Sequence, residues 1–475
     1  MEADQRHAPA RREADDQSGQ SLQATRPRAR PAGDRAGGRV HRKKKRLTRR
    51  LPRPAWENIE SVLRALESAP LGPEGLPEGA AGVDALLLGA ARKDLLAFLG
   101  KLFTLFGMRL ASGFHSVRPV QIMTALGWAE ASECYVPKQP SVLRRALGIR
   151  DKATAAAREA AERCGALCGS FREGADTLLR LTGIRVSVSK LRKMTLAFGK
   201  ACAAEQDAPP PDVRHYKGRP ATAAKPVDRT LFCMVDGGSA NCCKADTEGV
   251  KGKNGGEAGT RQIRVGLLGE YAWLDKDGRP LPWAGSFSYL VSGESIDAFT
   301  AQVKKHGLAR GSGTAARMLC LADGESALER ALRDAFPYAL FANDFSHASG
   351  HLSACCLALG LGEASAAKEY RFCRGLLYRV GAESVVRRIR RLYADRLEAY
   401  PEALKELLYL EKRKDNMRYG WLRKNGYYIG SGHVEAAVRV LVVRRCKQAG
   451  MHWRHANAVR MAAIHARYRS HPKAA

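Results

Sequence analysis

Three carboxylates in this chain stand where charge is costly unless it is used: Asp236, Asp323 and Glu435. Asp236 follows the apolar run LFCMV at 231 to 235, and Asp323 follows RMLCLA at 317 to 322. A glycine comes directly after each, the pattern of a buried strand that delivers a carboxylate to its tip. Glu435 lies just inside a stretch where Val434, Ala437, Val438, Leu441 and Val442 recur at the spacing of a helix packed into a core. Ser431 or Gly432 is placed to cap that helix. Two aspartates on adjacent strand tips and a glutamate on a helix against the same sheet can hold two divalent ions, Mg²⁺ first among them and Mn²⁺ as a substitute. The chemistry of such a set is phosphoryl transfer on a phosphodiester. Each signal has a plainer reading as well: an Asp-Gly after a strand is commonly a turn, and Glu435 can pair with Arg439 four residues on.

The elements around these residues predict how they are positioned. From 229 the chain reads as strand LFCMV, then strands in QIRVGLLGEYAWL and SFSYLV joined across the turn DKDG, a helix at 295 to 307, strand RMLCLA, helix SALERALRDAF, and strand YALFAN ending at Asp344. Three strands, a helix, a strand, a helix and a strand is the order of a ribonuclease H-like α/β fold. In that order the first and fourth strands are neighbours, which makes Asp236 and Asp323 neighbours. Residues 352 to 424 read as an all-helical insertion before the Glu435 helix, and 425 to 475 as that core helix followed by a basic C-terminal tail. The core is thus expected in two parts, 229 to 351 and 425 onward.

Upstream, residues 1 to 55 are rich in Arg, Pro, Ala and Gly and predict a disordered basic tail. Residues 56 to 204 read as helical throughout, and 205 to 228 as a Pro-containing linker. Within 170 to 200, an apolar helix, the turn Thr182-Gly183 and a second helix capped by Ser187 or Ser189 resemble a helix-turn-helix. There, Lys190, Arg192 and Lys193 would face phosphate or base edges; a plain helical hairpin with a basic face fits the same pattern.

The charge points to the partner. With 79 Lys and Arg against 48 Asp and Glu, the 475-residue chain carries +31. A polyanion is expected, and nucleic acid rather than a membrane, since no apolar run reaches the roughly 18 to 20 residues that span a bilayer. The first residues lack the apolar core of a secretory signal, so a cytoplasmic, nucleoid-associated protein is expected. Twelve cysteines include two adjacent pairs and no Cys-x-x-Cys, so no zinc module is legible.

Four blocks carry a specific resemblance: VDGGSANCC at 235 to 243, KGKNGGEAGTRQIRVGLLGEYAWLDKDGRPL at 251 to 281, LADGESALERALRDAFPYALFANDFSHASGHL at 321 to 352, and NMRYGWLRKNGYYIGSGHVEAAVRVLVVRRCKQAGMHW at 416 to 453. Over roughly residues 130 to 470 the chain resembles the DDE transposases of bacterial insertion sequences, of the Mutator-like type with a helical insertion, and most closely the ISKra-type group. The resemblance implies that Asp236, Asp323 and Glu435 form the catalytic, metal-binding triad and that Asp344 and His347 form a supporting Asp-x-x-His element. It implies cleavage of double-stranded DNA at the ends of a mobile element and joining of the 3′-hydroxyl to target DNA. Lys251, Lys253 and Arg261, with Arg439, would grip the phosphate backbone. At least a dimer is expected, because two ends must be brought together. A non-catalytic DNA-binding protein derived from such an enzyme, and a stand-alone nuclease, are the rival expectations.

Overall fold

The computed structural model describes residues 55–70, 83–111, 116–135, 140–208, 225–252, 255–314 and 317–470. The basic segment up to residue 54 and most of the expected linker lie outside them. No helix among the described residues is long and apolar enough to cross a membrane.

The centre is a mixed six-stranded sheet built from β3 (Lys225–Asn241), β4 (Thr260–Leu274), β5 (Pro280–Pro282), β6 (Ser288–Ser292), β7 (Arg317–Ala322) and β8 (Leu340–Asn343). Its order is β5-β4-β3-β7-β8, with β6 also paired to β4. The pair β3 and β4 is antiparallel; β3, β7 and β8 run parallel. The first and fourth strands of the sequence reading are therefore neighbours.

Both faces of the sheet are covered, which is why its central strands read as near-continuous apolar runs. Phe232, Met234, Leu319 and Leu321 point into one layer of buried side chains. Leu231, Cys233, Val235, Met318 and Cys320 point into the other, beneath α7 (Ile296–Ala309) and α8 (Ser326–Ala335). The first layer holds α9 (Phe345–Ala358), α10 (Glu363–Arg379), α11 (Ala382–Leu392), α12 (Ala394–Ala399), α13 (Pro401–Lys412) and α14 (Tyr419–Lys424). It also holds α15 (Gly432–Val438), which passes through a π-helical turn, Arg439–Val443, into α16 (Arg444–Cys446).

Near the far end of the β3–β4 ladder lies a buried ionic cluster. Glu270, 2% exposed, accepts two hydrogen bonds from Arg229 at 2.8 and 2.9 Å, and Arg310, 1% exposed, lies 3.9 Å away.

Three expectations are corrected. The region 56 to 204 is not wholly helical: β1 (Ser116–Thr124) and β2 (Gly127–Tyr135) form an antiparallel hairpin. Its Ile122, Met123, Ala129 and Ala131 are buried against helices. Second, β3 starts inside the expected linker and runs on past Asp236 to Asn241, paired residue by residue with β4. Third, the C-terminal segment is not a basic tail, for His455–Arg469 forms a helix, α17, with Met461 to Ala466 buried in a row. The helices expected at 170 to 200 are present as Phe171–Thr182 and Val188–Glu205, with left-handed Gly183 between them and Ser187 capping the second.

A candidate active site at one sheet edge

Strand register builds the site. Met234 lies opposite Leu321 in the parallel β3–β7 ladder, so continuing two residues sets Asp236 opposite Asp323. Ala322 lies opposite Asn343 in the β7–β8 ladder, so one residue more sets Asp323 opposite Asp344. All three share the parity of Met234, Leu321 and Ala342, which point toward the α15 layer. Three aspartates thus form one row.

Helix α15 brings Glu435 to that row. Val434, Ala437 and Val438 are buried and turn the helix onto the sheet. The contact is close at Gly238, where a β-carbon would stand 2.9 Å from Val438 Cγ1 and 3.1 Å from Val442 Cβ. Only glycine lets the helix approach β3 two residues beyond Asp236.

Asp236 is half-buried and accepts a hydrogen bond from the Gly237 amide at 2.6 Å. Burial pushes its carboxyl above the usual range, Asp323 and Glu435 push the same way, and the Gly237 amide and His347 oppose them. Asp323 accepts from the Glu325 amide at 3.1 Å. Asp344, 2% exposed, caps α9: Oδ2 accepts from the His347 amide and Oδ1 from the Ser431 amide, both at 2.7 Å. Burial raises its carboxyl too, against those two amides, with Glu435 adding to the rise. The Asp-x-x-His pair is therefore a helix cap at its first member, while the His347 side chain is exposed, its ring 5.6 Å from that of His351.

Glu435 lies at the rim of the core that its apolar neighbours build. It is exposed, at the flank of the buried stripe, and its Oε1 is hydrogen-bonded by the Ser431 hydroxyl. Among the described residues, Asp236, Asp323, Asp344 and Glu435 form no ion pair with Lys or Arg, and the expected bond from Glu435 to Arg439 is not made. Ser431, which touches both Asp344 and Glu435, was visible in the sequence only as a cap. Tyr409, Arg413 and Tyr419 were not visible at all; they reach the Asp323–Gly324 and Asn343–Asp344 carbonyls from helices.

The donor set suits Mg²⁺ in kind, being hard carboxylate oxygens on neighbouring strand ends without a Lys or Arg partner among the described residues. It is not drawn up into a closed cage: among the described residues no three His, Cys, Asp or Glu groups stand close enough to share a metal ion.

The basic residues are scattered. Lys190 is half-buried with its ammonium 4.9 Å from the Trp128 ring centroid, while Arg192 and Lys193 are exposed on the same helix. Arg439 is exposed at the start of the π turn, close in sequence to Glu435. Lys251 is exposed and bridges Glu257 through the backbone. Arg261 is half-buried and donates to the Asp246 carbonyl at 3.3 Å, so it is partly engaged within the fold. Lys253 lies outside the described residues.

The chain matches no known protein family. No curated protein matches it either.

Proposed function

We propose that the protein is a transposase of the DDE type, with a ribonuclease H-like catalytic core, that cleaves DNA at the ends of its own element and joins the 3′-hydroxyl to target DNA. The observation that carries this reading is the in-register row of Asp236, Asp323 and Asp344 under the Glu435 helix, carboxylates without a Lys or Arg partner among the described residues in a chain of net charge +31. A protein whose partner is anionic has no structural reason to gather negative charge there. The strand order β6-β4-β3-β7-β8 supports the ribonuclease H-like assignment.

In this reading Asp236 and Asp323 would hold divalent cations, Mg²⁺ or Mn²⁺, with Glu435 as the third carboxylate. Bound there, such ions supply an activated attacking oxygen and neutralise charge on the leaving oxygen. Asp344 fixes the Ser431 backbone and so the start of α15; His347 lies on α9. The exposed Arg192, Lys193, Lys251 and Arg439 meet phosphate, and synapsis of two ends requires at least a dimer.

A second reading, DNA binding without catalysis, is favoured by one feature: Glu435 is turned to solvent and hydrogen-bonded by Ser431, outside any three-group cage. The deciding experiment is Mg²⁺-dependent strand cleavage of DNA from the flanks of the encoding gene. Cleavage at a fixed position by the wild type, lost in Asp236→Asn and in Glu435→Gln with DNA binding kept, is the expected result. Binding by all three proteins with cleavage by none selects the second reading.

A further inference from the structure

Helix α13 crosses the helical layer to reach the loop that carries Asp323. The Tyr409 hydroxyl donates to the Asp323 carbonyl at 2.6 Å. Arg413, next after the helix, donates to the Gly324 carbonyl through Nε at 3.1 Å and Nη2 at 2.7 Å, and to the Ser326 hydroxyl at 3.2 Å. These contacts grip the peptide from which the Asp323 carboxylate projects.

Both side chains are themselves held. His351 of α9 stacks on Tyr409 with ring centroids 3.6 Å apart and planes 18° apart, and its Nδ1 is hydrogen-bonded to Glu406. The Arg413 guanidinium also lies 4.3 Å from the Tyr409 ring centroid. Gly324 sits at φ +99°, and a β-carbon there would stand 2.5 Å from the Tyr409 hydroxyl and 3.0 Å from Arg413 Nε, so loop and helix meet with no room between them. The Asp323–Glu325 turn already closes through its own side chain-to-amide bond. Three further donors on two carbonyls go beyond what a surface turn needs; they fix the direction in which the carboxylate leaves the loop.

We infer that Tyr409 and Arg413 are positioning residues that aim the Asp323 carboxylate at a divalent cation shared with Asp236, an inference that rests on the site reading proposed above. Groups one bond behind metal ligands commonly set the affinity of the site by 10- to 100-fold, without touching the ion. The helical layer is then part of the metal site and not only a cover for the sheet.

The test is a calorimetric titration of the full chain with Mn²⁺, paired with thermal melting of each protein without metal. Tyr409→Phe removes one hydroxyl and keeps the stack on His351; we expect it to weaken Mn²⁺ binding about tenfold. Arg413→Gln should weaken it similarly, and Arg413→Lys should recover part of the loss by keeping a donor. Leu404→Ala, on the same helix, half-buried and packed against the core, should lower the melting temperature at least as much while leaving Mn²⁺ affinity unchanged. Wild-type affinity in Tyr409→Phe and Arg413→Gln, with Mn²⁺ binding abolished in Asp323→Asn, would overturn the inference and leave the site reading standing. A weakening by Leu404→Ala equal to that of Tyr409→Phe would also overturn it, by reducing the effect to general loosening. Unchanged Mn²⁺ binding in Asp323→Asn would remove the site reading and the inference together.

Discussion

Two regions of one sheet treat buried carboxylates in opposite ways. Near one end, Glu270 is fully enclosed and answered by Arg229 and Arg310, so its charge is neutralised within the fold. At the other end, Asp236, Asp323 and Asp344 stand in a row with Glu435 nearby, met by amides and a hydroxyl. The two ends share β3, which carries both Arg229 and Asp236. The difference teaches that the chain has arginines to spend on burying a carboxylate and does not place them at the aspartate row. That open charge is what the proposed function assigns to a divalent cation.

The contrast predicts opposite signs for similar substitutions. The largest effect is expected at the paired end: Glu270→Gln leaves two guanidiniums facing a neutral group in a buried site and should destabilise the protein by about 3 kcal/mol, read as a lower urea midpoint. An unchanged midpoint would mean the cluster is wetter than its burial indicates. Next comes the packing that holds the open end. Gly238→Ala drives a methyl against Val438 and Val442 and should cost about 1 to 3 kcal/mol. On the function proposed above, DNA cleavage should fall further than that loss of stability accounts for, because α15 is lifted from β3.

The smallest effect has the opposite sign. Asp236→Asn removes a charge that burial, Asp323 and Glu435 all disfavour, and should stabilise the metal-free protein by on the order of 1 kcal/mol at neutral pH. Its pH dependence follows from the raised folded-state pKa. As pH rises, the unfolded chain loses this proton first, near its ordinary value of about 3.9, so wild-type stability falls from there toward the folded-state value and then levels. The substitution should flatten that part of the profile in chemical denaturation; an unaltered slope would show that Asp236 is not the group responsible.

Much of the sheet was legible because its strands are short apolar runs ended by turn residues. RMLCLA is β7 as read, and the neighbouring of Asp236 and Asp323 followed from strand order alone. The missing pieces share a cause: they depend on contacts between distant segments. Gly237 and Gly238 looked like a turn because nothing local reveals that Val438 and Val442 occupy the space over Gly238. The hairpin at 116 to 135 was hidden by Pro119 and by strands that alternate only in part, and its pairing is revealed by the helices it packs on. Periodicity found the buried face of α15 correctly, but Glu435 lies at the edge of that face, where a small rotation decides between enclosed and exposed. Tyr409 belongs to an amphipathic helix, and Arg413 to its C-terminal cap, whose polar residues look alike until the loop they grip is known.

The register of the row also sets where this protein tolerates growth. In a parallel ladder a one-residue insertion within β3, β7 or β8 would turn an aspartate to the opposite layer, beneath α7 and α8. Length can change freely only where the chain has already left the ladder. The long helical layer from α10 to α14 lies between Asp344 and Glu435, after the last strand and before the capping helix. Residues added between its helices shift no strand, whereas Tyr409, Arg413 and Tyr419 must keep their places, because they hold the carbonyls of the loops that carry Asp323 and Asp344.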